Sequence, residues 1–112
     1  MILLVIVKNI ERMYKVEVYH YRKAWRNGDL EAEQTMIRSE LFTTRKSAKS
    51  YIEKQVESEA RYCDKPTIRR DYHKGNEPSY VYLFTGEEWQ HENSGEMCHE
   101  YYTYKLEKAK LR

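Results

Sequence analysis

Glycine and proline are scarce in this 112-residue chain, which contains four glycines and two prolines. The scarcity excludes a glycine-rich loop for cradling phosphates and argues against a disordered chain. Cysteine is equally rare. Only Cys63 and Cys98 are present, far apart in the sequence, so a framework of several disulfides is impossible. We therefore expect reduced thiols and an intracellular, cytoplasmic protein.

An excess of charge of one sign is also missing. The 20 lysines and arginines nearly balance the 18 aspartates and glutamates, and both signs are interspersed along the chain. Such a balance produces no long-range field that would demand a polyanionic partner. The length corresponds to one domain over residues 1–112, large enough to bury a modest core without disulfides or metal.

The one continuous apolar run is short: it covers six residues, Ile2–Val7. It is too short to span a bilayer. It also lacks the basic segment before it and the small-residue cleavage site after it that characterise a secretion signal. We expect no membrane partner. Two interpretations of residues 1–12 stay open. In the first, the run is a strand that pairs with the edge of the sheet or with its copy in a homodimer. In the second, it is an extension that precedes a native start at Met13.

Tyrosine is the residue that stands out, with eleven copies against two phenylalanines. Tyrosine suits half-buried strands, and it also suits binding surfaces because it brings a large area at a low entropy cost. Short chains rich in tyrosine, lysine and glutamate are frequent among accessory proteins of phages and mobile elements. The composition therefore favours an accessory protein of that kind.

Residues 13–42 are predicted to form one long β-hairpin that turns at Asn27-Gly28, a dipeptide favoured by type I′ turns. With this turn at the tip, residues of opposite charge or shared apolar character face one another across the strands. The predicted pairs are Arg26/Asp29, Arg22/Glu33, Glu17/Arg38, Lys15/Glu40, Trp25/Leu30, Val18/Ile37, Tyr14/Leu41 and Met13/Phe42.

The register assigns one face of the hairpin to the core and leaves the other wet. The predicted core residues are Tyr14, Val16, Val18, Ile37 and Leu41. The predicted wet face carries Lys15, Glu17, Tyr19, Tyr21, Lys23, Trp25, Met36 and Arg38. A competing interpretation makes residues 29–35 a short helix capped by Asp29, because this stretch contains good helix formers.

A helix capped by Thr43 or Thr44 is predicted to run to about Tyr62, with an apolar stripe of Ala48, Ile52, Val56 and Ala60. Strands are predicted at residues 67–72, 79–85 and 98–107, with a loop at 86–96 and a frayed basic tail at 108–112. The fold class is therefore α+β, with element order ββαβββ and an optional strand in front. One helix packs on a mainly antiparallel sheet in two layers.

No arrangement of catalytic or metal-binding residues matches a known chemical pattern. The spacings of Cys63, His73, His91, Cys98 and His99 fit no closed zinc site. Cys98 has His91, His99 and Glu100 nearby, but a strand-end thiol without function explains this group. Glu87, Glu88 and Glu92 surround Trp89, and a solvated loop explains them. Cys63 is expected to pack as a small hydrophobic residue at the end of the helix stripe. We expect no enzyme activity, no metal and no cofactor.

The wet sheet face is the best candidate for function, because aromatic and basic side chains share it. The candidate binding residues are Lys15, Tyr19, Tyr21, Lys23, Trp25 and Arg38, extended by Tyr80 and Tyr82 and by Arg69 and Arg70. Phe84 is expected to extend the same face beside Tyr80 and Tyr82. Tyrosine, tryptophan and arginine are enriched at the centres of protein interfaces. We therefore interpret the chain as a small binding module for a protein partner. The alternative is a single-stranded nucleic-acid binder that stacks bases on the same face.

Overall fold

The computed structural model describes residues 13–26, 29–86, 89–90 and 97–109, with side chains given for 13–23, 32–86 and 100–109. The apolar segment Ile2–Val7, the proposed homodimer contact through it and the Asn27-Gly28 turn lie outside the described residues. Residues 110–112 of the expected tail lie outside them as well. Lys108 and Ala109 are not frayed, because Lys108 ends a strand and the N–H of Ala109 donates to the carbonyl of Met13 at 2.9 Å.

The described chain is an α+β fold in which one helix packs against an antiparallel sheet, as the sequence predicts. The elements are β1 (Tyr14–Arg26), β2 (Asp29–Phe42), α1 (Arg45–Ala60), β3 (Thr67–Asp71), β4 (Ser79–Phe84), β5 (Trp89–Gln90) and β6 (Met97–Lys108). Five strands form the sheet in the order β2-β1-β6-β4-β3, and the two-residue β5, inside the predicted loop, pairs with β6.

The hairpin of β1 and β2 has the predicted register at its tip and a different one at its base. Arg26 faces Asp29, Arg22 faces Glu33 and Tyr19 faces Met36, all as expected. Between Val18 and Tyr19 the register shifts by one, because Ile37 is an extra residue in β2. Such a β-bulge places two residues of one strand against one residue of its neighbour and bends the strand locally.

The bulge overturns all five predicted pairs on the base side of it, including Met13/Phe42, because Phe42 faces Tyr14. Val18 faces Arg38 instead of Ile37, and Tyr14 faces Phe42 instead of Leu41. Glu17 faces Ser39 and Lys15 faces Leu41, so the two predicted charge pairs do not form there. The competing helix over 29–35 is also wrong, because this whole stretch belongs to β2.

The core assignment of β2 changes with the register. Val16 and Val18 are buried and Tyr14 packs against the core, as predicted. Ile37 and Leu41, predicted to be buried, are each 50% exposed, and Phe42 packs against the core instead. A shift by one residue moves each side chain of a strand to the other face, so Phe42 takes the place predicted for Leu41.

Helix α1 covers the sheet with the predicted apolar stripe. Ala48, Ile52 and Val56 are fully buried, and they pack in one cluster with side chains of the three central strands. Those strand residues are Val16, Val18, Val81, Leu83, Tyr104 and Leu106. The helix starts as expected, because the Thr44 hydroxyl accepts a hydrogen bond from the N–H of Ser47 at 3.0 Å.

Truncation of the helix stripe tests the core. We expect Ile52→Ala to lower the free energy of unfolding by about 2–5 kcal/mol, because it removes buried methyl groups and leaves a cavity. The exposed Ser58→Ala on the same helix is the control, with an expected change within about 0.5 kcal/mol. Urea unfolding followed by circular dichroism measures both. A loss below about 0.5 kcal/mol for Ile52→Ala would show that the stripe is not core.

Two glycines with positive φ form a matched pair that tests a close backbone contact. Gly75 (φ 82°) has open space around it, whereas a Cβ at Gly86 (φ 80°) would lie 2.8 Å from the Cβ of Lys65 and nearer still to its carbonyl oxygen. We expect Gly75→Ala to cost only the left-handed backbone strain of about 1–2 kcal/mol. Gly86→Ala should cost about 1–3 kcal/mol more, because the backbone at Lys65 must move. Equal thermal unfolding midpoints for the two variants would contradict the contact.

Candidate binding face

The open face is the side of the sheet opposite α1. Because side chains alternate along a strand, the residues between the buried positions point to it. They are Lys15, Glu17, Tyr19, Tyr21 and Lys23 of β1, Met36 and Leu41 of β2, Thr67, Arg69 and Asp71 of β3, Tyr80, Tyr82 and Phe84 of β4, and Tyr101, Thr103, Lys105 and Glu107 of β6. Cross-strand pairing places them side by side.

Five rings form a continuous aromatic row across the open face. From β4 to β1, the centroid distances are 6.1 Å for Tyr80 to Tyr82, 6.3 Å for Tyr82 to Phe84, 5.5 Å for Phe84 to Tyr101 and 4.6 Å for Tyr101 to Tyr21. These spacings are typical of stabilising aromatic pairs. The row is half-exposed, so its rings support one another and still present an edge or a face outward.

Tyr19 lies beside the row, and its hydroxyl donates a hydrogen bond to the Glu17 carboxylate at 3.0 Å. Burial, followed by this hydrogen bond and the charge of Glu17, raises the pKa of Tyr19 above its usual value. Burial also raises the pKa of Tyr101, and the neighbouring Tyr21 and Tyr82 add to the rise. Both phenols therefore keep their protons and stay uncharged at neutral pH.

The charged residues at the base of the open face pair with one another. The Lys15 ammonium lies 3.4 Å from the Glu17 carboxylate and 3.5 Å from that of Glu107. The Lys105 ammonium lies 3.6 Å from the same Glu107 carboxylate. Two cations and two anions thus alternate over β1 and β6, and the base of the face carries no net charge.

On β3, Arg69 lies over Tyr82, the second ring of the aromatic row. Its guanidinium carbon is 5.0 Å from the centroid of the Tyr82 ring, and its terminal nitrogen is 3.3 Å from the Asp71 carboxylate. The ring and the carboxylate together hold the guanidinium over the row. The positive charge of Arg69 is therefore paired within the open face.

Arg38 was expected on the open face, and the structure places it on the helix side. The bulge sets it opposite Val18 instead of Glu17, so its guanidinium reaches over to α1. There it donates to the Gln55 side-chain oxygen at 2.5 Å and to the Tyr51 hydroxyl at 3.4 Å. It ties β2 to the helix and is separated from the tyrosines of the open face by the sheet.

Arg70 is likewise on the helix side, one position along β3 from Arg69. Its Nε donates to the Glu53 carboxylate of α1 at 2.6 Å, and the Tyr72 hydroxyl donates to the other oxygen of that carboxylate at 3.1 Å. These contacts hold the edge strand β3 against the helix. Arg70 thus joins Arg38 in packing the layers together.

Seven of the ten predicted binding residues share the open face: Lys15, Tyr19, Tyr21, Lys23, Arg69, Tyr80 and Tyr82. Trp25 pairs with Leu30 in the backbone as expected, and its side chain lies outside the described residues. Phe84, expected to extend the wet face with Tyr80 and Tyr82, lies on the open face as well. The prediction lacked Tyr101, which connects Phe84 to Tyr21 in the aromatic row. Its signal was present in the alternation of β6, where it falls on the face opposite to the buried Tyr104.

The candidate chemical clusters are only partly within the described residues. Cys63 ends the helix stripe, half-buried, and its thiol donates to the carbonyl of Glu59 at 3.4 Å. The side chains of His91, Cys98 and His99, like those of Glu87, Glu88 and Glu92, lie outside the described part. Glu100 instead has an oxygen 3.3 Å from Nε2 of His20 on the helix side. Among the residues with described side chains, no three His, Cys, Asp or Glu residues cluster as a metal site.

Comparisons of the chain with protein-family models, with curated proteins and with solved structures found no match. Within the described ranges, no helix has the length and the apolar character needed to cross a membrane. The geometry of the open face is therefore the basis on which a function is argued.

Removal of the Glu17 charge tests the electrostatics of the open face. We expect Glu17→Gln to lower the pKa of Tyr19 towards its ordinary value of 10.0, because the negative charge of the carboxylate disappears while the burial remains. Tyr101, whose raised pKa has no contribution from Glu17, is the internal control. Ring-carbon NMR shifts followed through an alkaline titration measure both residues.

The raised pKa values also set the direction of the stability change at high pH. The folded state holds the phenolic protons of Tyr19 and Tyr101 more tightly than the unfolded state does. The stabilisation is complete below pH 10 and is lost as the pH rises through the folded-state values. A pKa of Tyr19 that stays unchanged in Glu17→Gln would contradict the hydrogen bond.

Proposed function

We propose that this chain is a small non-enzymatic binding module that engages a protein partner through its open face. The observation that carries this proposal is the aromatic row on the open face, next to lysines and glutamates that pair with one another. Aromatic side chains on a regular sheet provide a large contact area. Because each has few side-chain torsions, little conformational entropy is lost when they are immobilised on binding. Such a surface suits a broad, flat contact with another protein.

The composition of the open face supports this kind of partner. Tyrosine, methionine and arginine are enriched at the centres of protein interfaces, and lysine and glutamate fit a polar rim. The aromatic row occupies the three middle strands β1, β6 and β4, and Met36 and Leu41 on β2 are 51% and 50% exposed. The base, with its paired lysines and glutamates, resembles a rim.

A single-stranded nucleic acid is the second candidate, favoured by one observation. Arg69 over Tyr82 and the row of rings together form a stacking platform of the type on which bases are bound. The pairing of Lys15, Lys105 and Arg69 with acids of the same face weighs against it. Binding to a phosphate backbone depends on cations that replace its counterions, and these cations already have carboxylate partners.

We also propose that the protein acts in the cytoplasm. The support is the scarcity of cysteine and the position of Cys63, whose half-buried thiol donates a hydrogen bond and packs at the end of α1. A thiol used in this way as a small core residue fits a reducing compartment.

Truncation of the aromatic row tests the proposed function. We expect the double variant Tyr82→Ala/Phe84→Ala to lose at least tenfold in affinity for the partner, because a cluster of rings at an interface centre carries much of the binding energy. Tyr62→Ala is the matched control, since Tyr62 is 86% exposed and lies at the end of α1. The measurement is quantitative capture from the source cell followed by titration of the identified protein, with thermal unfolding to confirm that each variant folds.

Two outcomes would contradict the proposal. One is equal capture of the same protein by the double variant and by the parent chain. The other is binding of a random single-stranded oligonucleotide, measured by fluorescence anisotropy, that weakens steeply with salt and is lost in the double variant. The second result would replace the protein partner with nucleic acid on the same face. If the double variant fails to fold, Phe84→Ser alone is used, because Phe84 is already 37% exposed.

A further inference from the structure

We propose that the groove between α1 and the end of β2 is a second binding site, and that its ligand is an extended acidic peptide segment. The groove lies on the helix side of the sheet, so the proposal goes beyond the open face and does not depend on the proposed function. Three observations support it: the aromatic floor of the groove, two lysines on its rim that have no acidic partner, and the spacing of these lysines.

The floor of the groove consists of two aromatic rings. The groove has a volume of about 460 Å³, and its lining residues are Phe42, Lys46, Ser47, Ser50, Tyr51 and Lys54. Phe42 and Tyr51 are half-buried, with ring centroids 5.0 Å apart, whereas the other four residues are exposed and form the rim. The Tyr51 hydroxyl accepts a hydrogen bond from Arg38 at 3.4 Å, which holds its ring in place. An aromatic floor with a few polar groups around it is typical of a ligand site.

The two lysines on the rim have no acidic partner within their own helix. The residues four positions from Lys46 and Lys54 are Phe42, Ser50 and Ser58, none of which carries a charge. Ion pairs on a helix surface form mainly at spacings of three or four residues. The positions of these lysines in the sequence therefore leave their ammonium groups available to an anion from outside the fold.

The acids nearest to this rim in the sequence do not neutralise it. Glu57, three residues after Lys54, pairs with Arg61 at 3.2 Å. Glu40, two residues before Phe42 on the helix side of β2, does not line the groove. The lining thus contains two cations and no anion, and its charge is complementary to an acidic ligand.

The groove on the other flank of α1 has the opposite character. It has a similar volume, about 450 Å³, and both of its arginines are paired. Arg70 lies 2.6 Å from the Glu53 carboxylate, and Arg61 lies 3.2 Å from that of Glu57. The charges of that groove are therefore satisfied within the fold, whereas those of the β2-side groove are not. This difference selects one flank of the helix as the binding site.

The spacing of the two lysines indicates the shape of the ligand. Lys46 and Lys54 are eight residues apart, so they lie about 12 Å apart along the helix axis, with Tyr51 between them. In an extended peptide, the first, third and fifth side chains point to one face, and the first and fifth are about 13 Å apart. Acids at the first and fifth positions can therefore pair with both lysines, while an apolar third side chain contacts the ring of Tyr51.

Binding of a synthetic peptide to the full chain tests the site. The probe is a labelled pentapeptide with aspartate at the first and fifth positions, leucine at the third and serine at the other two. At low salt we expect a dissociation constant of about 1 mM or less by fluorescence anisotropy, and NMR shifts at Ser50 and Tyr51. In Lys46→Gln/Lys54→Gln the affinity should fall about fivefold, as expected for the loss of two exposed ion pairs.

Two controls separate the site from general charge attraction. Lys49→Gln/Arg61→Gln removes the same charge from the other flank of α1 and should leave the affinity unchanged. A peptide of the same composition with aspartates at the first and fourth positions points them to opposite faces, and it should bind about threefold more weakly. Glutamine is a good helix former, so both double variants should fold, which thermal unfolding confirms.

Four results would overturn the proposal. The first is no binding of the peptide to the parent chain, and the second is equal binding to the parent chain and to Lys46→Gln/Lys54→Gln. The third is displacement of the peptide by inorganic phosphate at the same concentration, since the site would then bind any small anion. The fourth is tighter binding of a random single-stranded oligonucleotide that is lost in the same variant, since the groove would then serve a nucleic acid.

Discussion

The burial of the α1 stripe against the centre of the sheet is the interaction on which the rest of the structure depends. Ile52 and Val56 have no exposed surface, and they meet Val81, Leu83 and Tyr104 of the two strands beneath them. Because one helix is the only described element on this side, its position decides which face of every strand is core. Because the helix covers one face of the sheet, the aromatic row lies on the opposite, open face.

The β-bulge at Ile37 is a second constraint, and it separates two roles that a regular hairpin would have mixed. Without it, Arg38 would lie beside Tyr19 and Tyr21 and would add a cation to the open face. With it, Arg38 binds Gln55 and Tyr51 of α1 and becomes a tie between the layers. Arg70 does the same from the other edge through Glu53. The two flanks of the helix are thus held by arginines, whose planar, multiply donating heads suit such contacts.

The open face owes its character to the pairing of its own charges. Lys15, Lys105 and Arg69 are present on it, yet Glu17, Glu107 and Asp71 lie within 3.6 Å of them. Exposed pairs of this kind add little to stability, but they remove the field that a polyanion would need. What remains is a surface defined by its rings, and this balance is the reason that we propose a protein partner and place nucleic acid second.

Local patterns in the sequence determined most of the fold. The helix, with its Thr44 cap and its stripe of Ala48, Ile52 and Val56, follows from capping and periodicity. The register near the tip of the hairpin and the strands β3, β4 and β6 follow from alternation and propensity. All of these act between near neighbours. Seven of the ten candidate binding residues follow from alternation alone. Only the tertiary structure decided the bulge, the exposure of Ile37 and Leu41, and the sides taken by Arg38 and Arg70. The extra residue at Ile37 changes no local pattern in the sequence. The position of the bulge is fixed by the side chains that fit under the helix. Phe42 fits there against Tyr51, with ring centroids 5.0 Å apart, in the place where Leu41 was expected.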